Sequence, residues 1–195
     1  MDFPIYELKI DEREKDDAEV SFVALVDVPA IKRDFLAFKE AMKFEVVSEE
    51  RRIITGPLMV PEQLIYRNCE KFGEHYVKFS TDTIQQIAIK FHKKGFQRNV
   101  NLMHDAGLQV DGVTMFESFI TDTSRGINPP QAFSDLPQGT WFGSFKVEND
   151  EVWQLVKAGE VKGFSVEGMF DYEKPGEDEA EQQLAALKKI LATIQ

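Results

Sequence analysis

Cysteine is almost missing from this chain. Cys69 is the single one among 195 residues, which excludes an internal disulfide and a cysteine-built metal centre. A fold that needs no disulfide suits a reducing compartment. Histidine is scarce too: His75, His92 and His104 are the 3 present, and no second histidine or cysteine stands at ligand spacing, so no metal site is expected. Basic residues are outnumbered, 23 against 34 acidic, for a formal net charge of −11. Nucleic-acid binders need a positive footprint to displace counterions from phosphates, so no nucleic-acid partner is expected. No apolar run approaches the roughly 20 residues that span a bilayer. The start, Met1-Asp2-Phe3-Pro4-Ile5-Tyr6, lacks the basic and apolar regions of a signal peptide. No membrane partner is expected, and the protein reads as cytosolic. There is no P-loop and no G-x-G-x-x-G, and no cofactor is called for. The carboxylates at 10–20 and 173–181 read as solvated charge runs.

What is present can fold. With 43% hydrophobic and 29% charged residues, a sizeable core is available and wholesale disorder is excluded. The length suits one domain with a small appendage. Glu19 to Val28 reads as a strand stopped by Pro29, and Arg52 to Val60 as another, interrupted at Gly56-Pro57. Residues 32–50 fit helix or strand equally. His75 to Phe79 alternates as a strand does. Thr81 to Lys94 carries Ile84, Ile87, Ala88 and Phe91 on one stripe, with cap oxygens at Ser80, Thr81 and Asp82, and reads as a helix. Val100 to His104 looks like a strand ending at a histidine, and Val113 to Asp122 like another. Ser124 to Gln138 is a long loop by its Pro, Gly, Ser and Asn content. Thr140 to Val147 is a strand, Asn149 to Ala158 a capped helix ending at Gly159, and Lys162 to Tyr172 a final strand. Beyond a polar linker at 174–178, residues 180–194 carry Leu184, Leu187, Leu191 and Ile194 in a narrow stripe of the coiled-coil kind. Many short strands and few helices predict an α+β chain, a mixed barrel with helices at its edges. The expected division is a barrel domain at 1–173 and a linker with a C-terminal helix at 174–195.

Two places could carry chemistry. In Asn101-Leu102-Met103-His104-Asp105 an apolar strand delivers a histidine, the side chain best placed to exchange protons near neutral pH. In Gly163-Phe164-Ser165-Val166-Glu167-Gly168 a serine sits in an apolar strand between glycines that let backbone approach closely. This is not the G-x-S-x-G elbow, because the second glycine comes one residue too late. A serine hydroxyl needs a base to take its proton before it becomes a nucleophile. By position alone, each is more simply an ordinary strand residue bonded to a neighbour.

Together the two segments resemble a family. Asn99 to Asp105, followed by Val110-Asp111-Gly112-Val113, is similar to the histidine segment of herpesvirus assemblins and tailed-phage prohead proteases. Val152 to Gly168 resembles the nucleophile segment of the phage enzymes, with a short helix, a glycine and a Gly-hydrophobic-Ser run in order. The subgroup it resembles is that of the XkdF-like phage serine proteases, through Val23 to Ile31, Gly56 to Pro61 and Ile65-Tyr66-Arg67 as well. The resemblance touches most of residues 20–172 and leaves out the helix at 180–194. It implies a mostly antiparallel β-barrel with peripheral helices, and a catalytic Ser165–His104 pair for peptide hydrolysis. The implied substrates are scaffolding protein and the major capsid protein's precursor inside the immature capsid, in the host cytoplasm.

A base histidine needs a group that fixes its tautomer and stabilises the imidazolium. Glu117 is the expected third member: strand alternation puts Met115, Glu117 and Phe119 on one face, so its carboxylate should be partly buried and paired. Glu167, two residues from Ser165, is the runner-up, and Glu19 is third. Asp105 is set aside because strand neighbours point to opposite faces. The 180–194 helix is expected to dock on a partner or on another copy. The rival readings are a capsid-assembly protein of the same fold without activity, and a hydrolase of another substrate class.

Overall fold

The computed structural model describes residues 3–10, 19–27 and 43–173. In chain order these form β1 (Ile5–Lys9), β2 (Glu19–Val26), β3 (Glu45–Ser48), β4 (Ile53–Met59), β5 (Ile65–Cys69) and β6 (Gly73–Lys78). Helix α1 (Thr81–Lys93), β7 (Val100–Leu102), β8 (Asp105–Gln109), β9 (Val113–Ile120) and β10 (Trp141–Val147) follow, then α2 (Asp150–Ala158), β11 (Gly163–Met169) and β12 (Asp171–Glu173). The chain is thus α+β and mostly strand. The sequence-predicted linker and helix beyond residue 173 lie outside the described residues, as do residues 28–42.

Local chemistry explains both helices. Ser80 Oγ accepts the Thr83 N–H at 3.3 Å at the start of α1, and Ile84, Ile87 and Phe91 are fully buried along its stripe. Phe91 meets the indole of Trp141 edge-on at 5.5 Å, so α1 lies on the inner face of β10. Asn149 Oδ1 accepts the Val152 N–H at 3.0 Å to open α2, as an N-cap should. Gly159, in the left-handed region at φ 67°, closes that helix and turns the chain into β11.

The strands form three four-stranded sheets in the orders β12-β1-β6-β5, β3-β4-β10-β9 and β11-β2-β7-β8. The second and third pack together: Phe145 of β10 meets Phe164 of β11 at 4.7 Å, and Phe44 meets Phe164 at 5.3 Å. They are also joined at one corner. Lys43 bridges Gly163, and the Phe44 N–H donates to the Lys162 carbonyl at 2.8 Å. Gly56 permits this corner, since a Cβ there would come within 2.9 Å of the Phe44 Cα. Among the described residues the ladders form these separate sheets, and no closed barrel is traced.

Some boundaries differ from the sequence expectation. Strand β4 runs unbroken through Gly56-Pro57. Its neighbour β3 pairs only as far as Thr55, and the β10 ladder shifts register beside Pro57, so the missing N–H costs no regular bond. The predicted strand Lys162–Tyr172 divides into β11 and β12, and β12 crosses to pair with β1. The predicted loop 124–138 holds the short 3₁₀ turns Thr123–Arg125 and Gln131–Phe133. Among the described residues no helix is long and apolar enough to cross a membrane.

Candidate active site

Ser165 sits on β11, an edge strand of its sheet. It lies opposite Ala24 of β2, and Ala24 lies opposite Asn101 of β7. Directly paired residues point to the same side of a sheet, so Ser165, Ala24 and Asn101 form one row on one face. Phe164, adjacent in sequence, points the other way into the core. Glu167 is two residues from Ser165 and shares its face. The centre of the row is a methyl group, so no bulky side chain stands between Ser165 and Asn101. Ser165 keeps 7% of its surface exposed, and Asn101 keeps 1%.

His104 comes to the same face from a turn. Strand β7 stops at Leu102, which pairs with Asp105 of β8, and Met103 and His104 are the two turn residues between them. Both have positive φ, 54° and 61°, the signature of the type I′ turn whose twist suits a two-residue hairpin. The expected strand-end histidine is therefore a turn histidine. The Met103 N–H donates to the Leu25 carbonyl at 3.0 Å, and Met103 Sδ accepts the Asp27 N–H at 3.4 Å, which ties the turn to the end of β2.

His104 Nδ1 lies 3.0 Å from Glu167 Oε1, with side-chain exposures of 37% and 29%. Asn101 Nδ2 donates to the same oxygen at 2.7 Å. A carboxylate only accepts, so the proton of a neutral His104 resides on Nδ1 and Nε2 keeps its lone pair. Gly168 lets β11 and β2 come close just beyond Glu167. The β11–β2 register shifts between Glu167 and Gly168, and a Cβ at Gly168 would run into the Glu19 carbonyl and lie 2.9 Å from the Val20 Cα. Among the described residues no hydrogen bond joins Ser165 to His104.

Glu117 is placed elsewhere. It accepts a hydrogen bond from Ser144 Oγ at 2.6 Å, and Thr55 Oγ1 donates to Ser144 at 2.8 Å. The expected alternation fails because of a bulge: Ser144 pairs with Glu117, but the next residue, Phe145, pairs with Met115. Met115 and Glu117 therefore point to opposite faces, and Phe116, the extra residue, is 55% exposed. Glu117 is exposed, not partly buried. Phe145 and Phe164 meet between the sheets, so Ser144 and Glu117 face away from Ser165. Glu19, the third choice, pairs with Lys94.

The remaining histidines each bond a backbone carbonyl through Nδ1, and the Nε2 of His75 is buried with no partner among the described residues. His75 is fully buried, its Nδ1 lies 2.8 Å from the Gly73 carbonyl, and Tyr6, Phe72 and Tyr172 ring it. His92 Nδ1 lies 2.8 Å from the Ala88 carbonyl. Among the described residues no group of three potential ligands gathers for a metal ion. Sequence reasoning assigned no role to Asn101. The available signal was an amide between Val100 and Leu102, in a strand otherwise apolar.

A carboxylate, an imidazole and a serine on one sheet face form the kind of site that hydrolases with a serine nucleophile use. The family comparison agrees in class. Residues 40–173 match the family described as "Putative phage serine protease XkdF", and the chain belongs to that family. The match takes in Asn101, His104, Ser165 and Glu167, while β2 precedes it. No curated protein and no solved structure matches the chain.

Proposed function

We propose that this phage serine protease is an endopeptidase in which Ser165 is the nucleophile, His104 the general base and Glu167 the carboxylate that orients it. The observation that supports this reading is the 3.0 Å contact between His104 Nδ1 and Glu167 Oε1 on the face that bears Ser165. In this mechanism Ser165 Oγ bonds to the scissile carbonyl carbon while its proton passes to His104 Nε2, and the carbonyl π electrons move onto oxygen. The C–N bond then breaks as His104 returns the proton to the leaving amine. Water repeats the sequence and frees the new carboxyl end. Glu167 accepts the Nδ1–H throughout and stabilises the imidazolium. It takes the role expected from sequence of Glu117.

The substrates in this reading are scaffolding protein and the precursor of the major capsid protein, cut inside the immature capsid in the host cytoplasm. The barrel implied by the resemblance belongs here too: the two sheets joined through Lys43 and Gly163 are taken as its wall. Residues 180–194 serve self-association or docking on a partner.

A fluorophosphonate, which esterifies activated serines, tests the chemistry without a known substrate. Adduct formation is read by intact mass and peptide mapping. The wild type is expected to take one adduct, on Ser165. Ser165→Ala takes none, and His104→Ala reacts slower by about 10²–10⁴-fold. Co-expression with the cognate scaffold and capsid precursors should give processing by the wild type only. An adduct on Ser165→Ala equal to the wild type's would remove Ser165 from the mechanism. Failure of the wild type both to label and to process would favour a capsid-assembly role without catalysis.

A further inference from the structure

Asn101 is the buried polar residue of this face that the mechanism leaves unused. It keeps 1% of its surface exposed and lies on an inner strand, between Ala24 of β2 and Gln109 of β8. Its Nδ2 donates to Glu167 Oε1 at 2.7 Å, but its Oδ1 is buried with no partner among the described residues. A buried amide with half its capacity unmet costs free energy that leucine at the same place would not. Stability alone therefore does not account for it.

Its partner does. Glu167 Oε1 is the atom that faces His104 Nδ1. A glutamate reaching over β2 from its place opposite Phe22 has several rotamers, each putting the carboxylate at a different place. A donor two strands away selects one. Lysine or arginine would also select one, but would cancel the negative charge that the imidazolium needs. A neutral amide holds the oxygen and leaves the charge in place.

We infer that Asn101 is a positioning residue, which fixes Glu167 Oε1 against His104 and acts on the reaction only through that carboxylate. The inference rests on the Ser165–His104 reading above. Its readout is the rate of fluorophosphonate labelling of Ser165, measured beside thermal unfolding. Asn101→Leu removes the donor together with the unpaired oxygen, so the protein should melt at the same temperature or higher. Labelling should nonetheless slow by about a hundred-fold. A residue that only stabilises the fold would lower the labelling rate and the melting temperature together. In Glu167→Gln, adding Asn101→Leu should cost little more, since the two act as one unit.

Asn101→Leu labelling at the wild-type rate would overturn the inference. So would losses that multiply in the double variant. If Asn101→Leu proves unfolded, Asn101→Ala, which offers Glu167 no donor and adds neither bulk nor charge, is read by the same criteria. Ser165→Ala and His104→Ala separate the two readings. If either labels like the wild type, the base mechanism fails and Asn101 has nothing to position. If both lose labelling and Asn101→Leu does not, only this inference falls.

Discussion

Glu167 Oε1 receives two donors, an imidazole and an amide, whereas Glu117 receives a hydroxyl from Ser144. At the scale of single residues this difference predicts opposite outcomes for the same substitution. Glu167→Gln keeps an acceptor oxygen but removes the charge opposite the imidazolium. Labelling of Ser165 should fall by about 10²–10⁴-fold through loss of that charge. Glu117→Gln can still accept the Ser144 proton through its amide oxygen, so labelling and melting temperature should stay near wild type. Comparing the two rates in parallel checks this. A full loss in Glu117→Gln with activity kept in Glu167→Gln would reverse the assignment. The His104–Glu167 pair itself adds little to stability, being partly exposed and screened by solvent.

At the scale of elements, the β7–β8 turn carries the base and is built from unfavourable residues. A type I′ turn favours Asn or Gly where φ is positive, but here Met103 and His104 occupy both places. Side-chain-bearing residues held there cost on the order of 1 kcal/mol or more each. The anchors to Leu25 and Asp27 hold the turn against that cost. Met103→Gly should therefore raise stability by about 1 kcal/mol in denaturant unfolding, since glycine keeps the N–H bond to Leu25 and loses only the weak thioether contact. A clear fall in stability would mean that the side chain of Met103 anchors the turn more than its backbone strains it. Helices α1 and α2 are more readable, because their apolar stripes and caps are local features. The strand carrying Glu117 was misread because a bulge is a two-strand event. Its extra residue, Phe116, is defined only by the register that β10 imposes.

For the whole molecule, β12 matters most. It ends at Glu173, opposite Glu7 of β1, where the family match also ends. The polar linker and predicted helix come after this closure. Truncation after Glu173 should leave melting temperature and labelling rate unchanged while lowering oligomeric mass in light scattering, if residues 180–194 associate. Loss of the cooperative unfolding transition would show instead that those residues belong to the folded unit.

By itself the sequence determined the α+β class, both internal helices with their caps, most strands, and the two segments that hold Ser165 and His104. Those are carried by periodicity, turn residues and motif order, all of which act over short stretches of chain. Only tertiary structure decided which carboxylate meets the histidine. That choice depends on the order β11-β2-β7, in which a strand from the start of the chain separates the serine strand from the one leading to the histidine. It depends equally on the regular register from Ser165 to Glu167, which puts both on one face with Asn101. The bulge at Ser144–Phe145 completes it, setting which way Glu117 points. Register between distant strands is a property of the packed pair, so no single strand's alternation could reveal it.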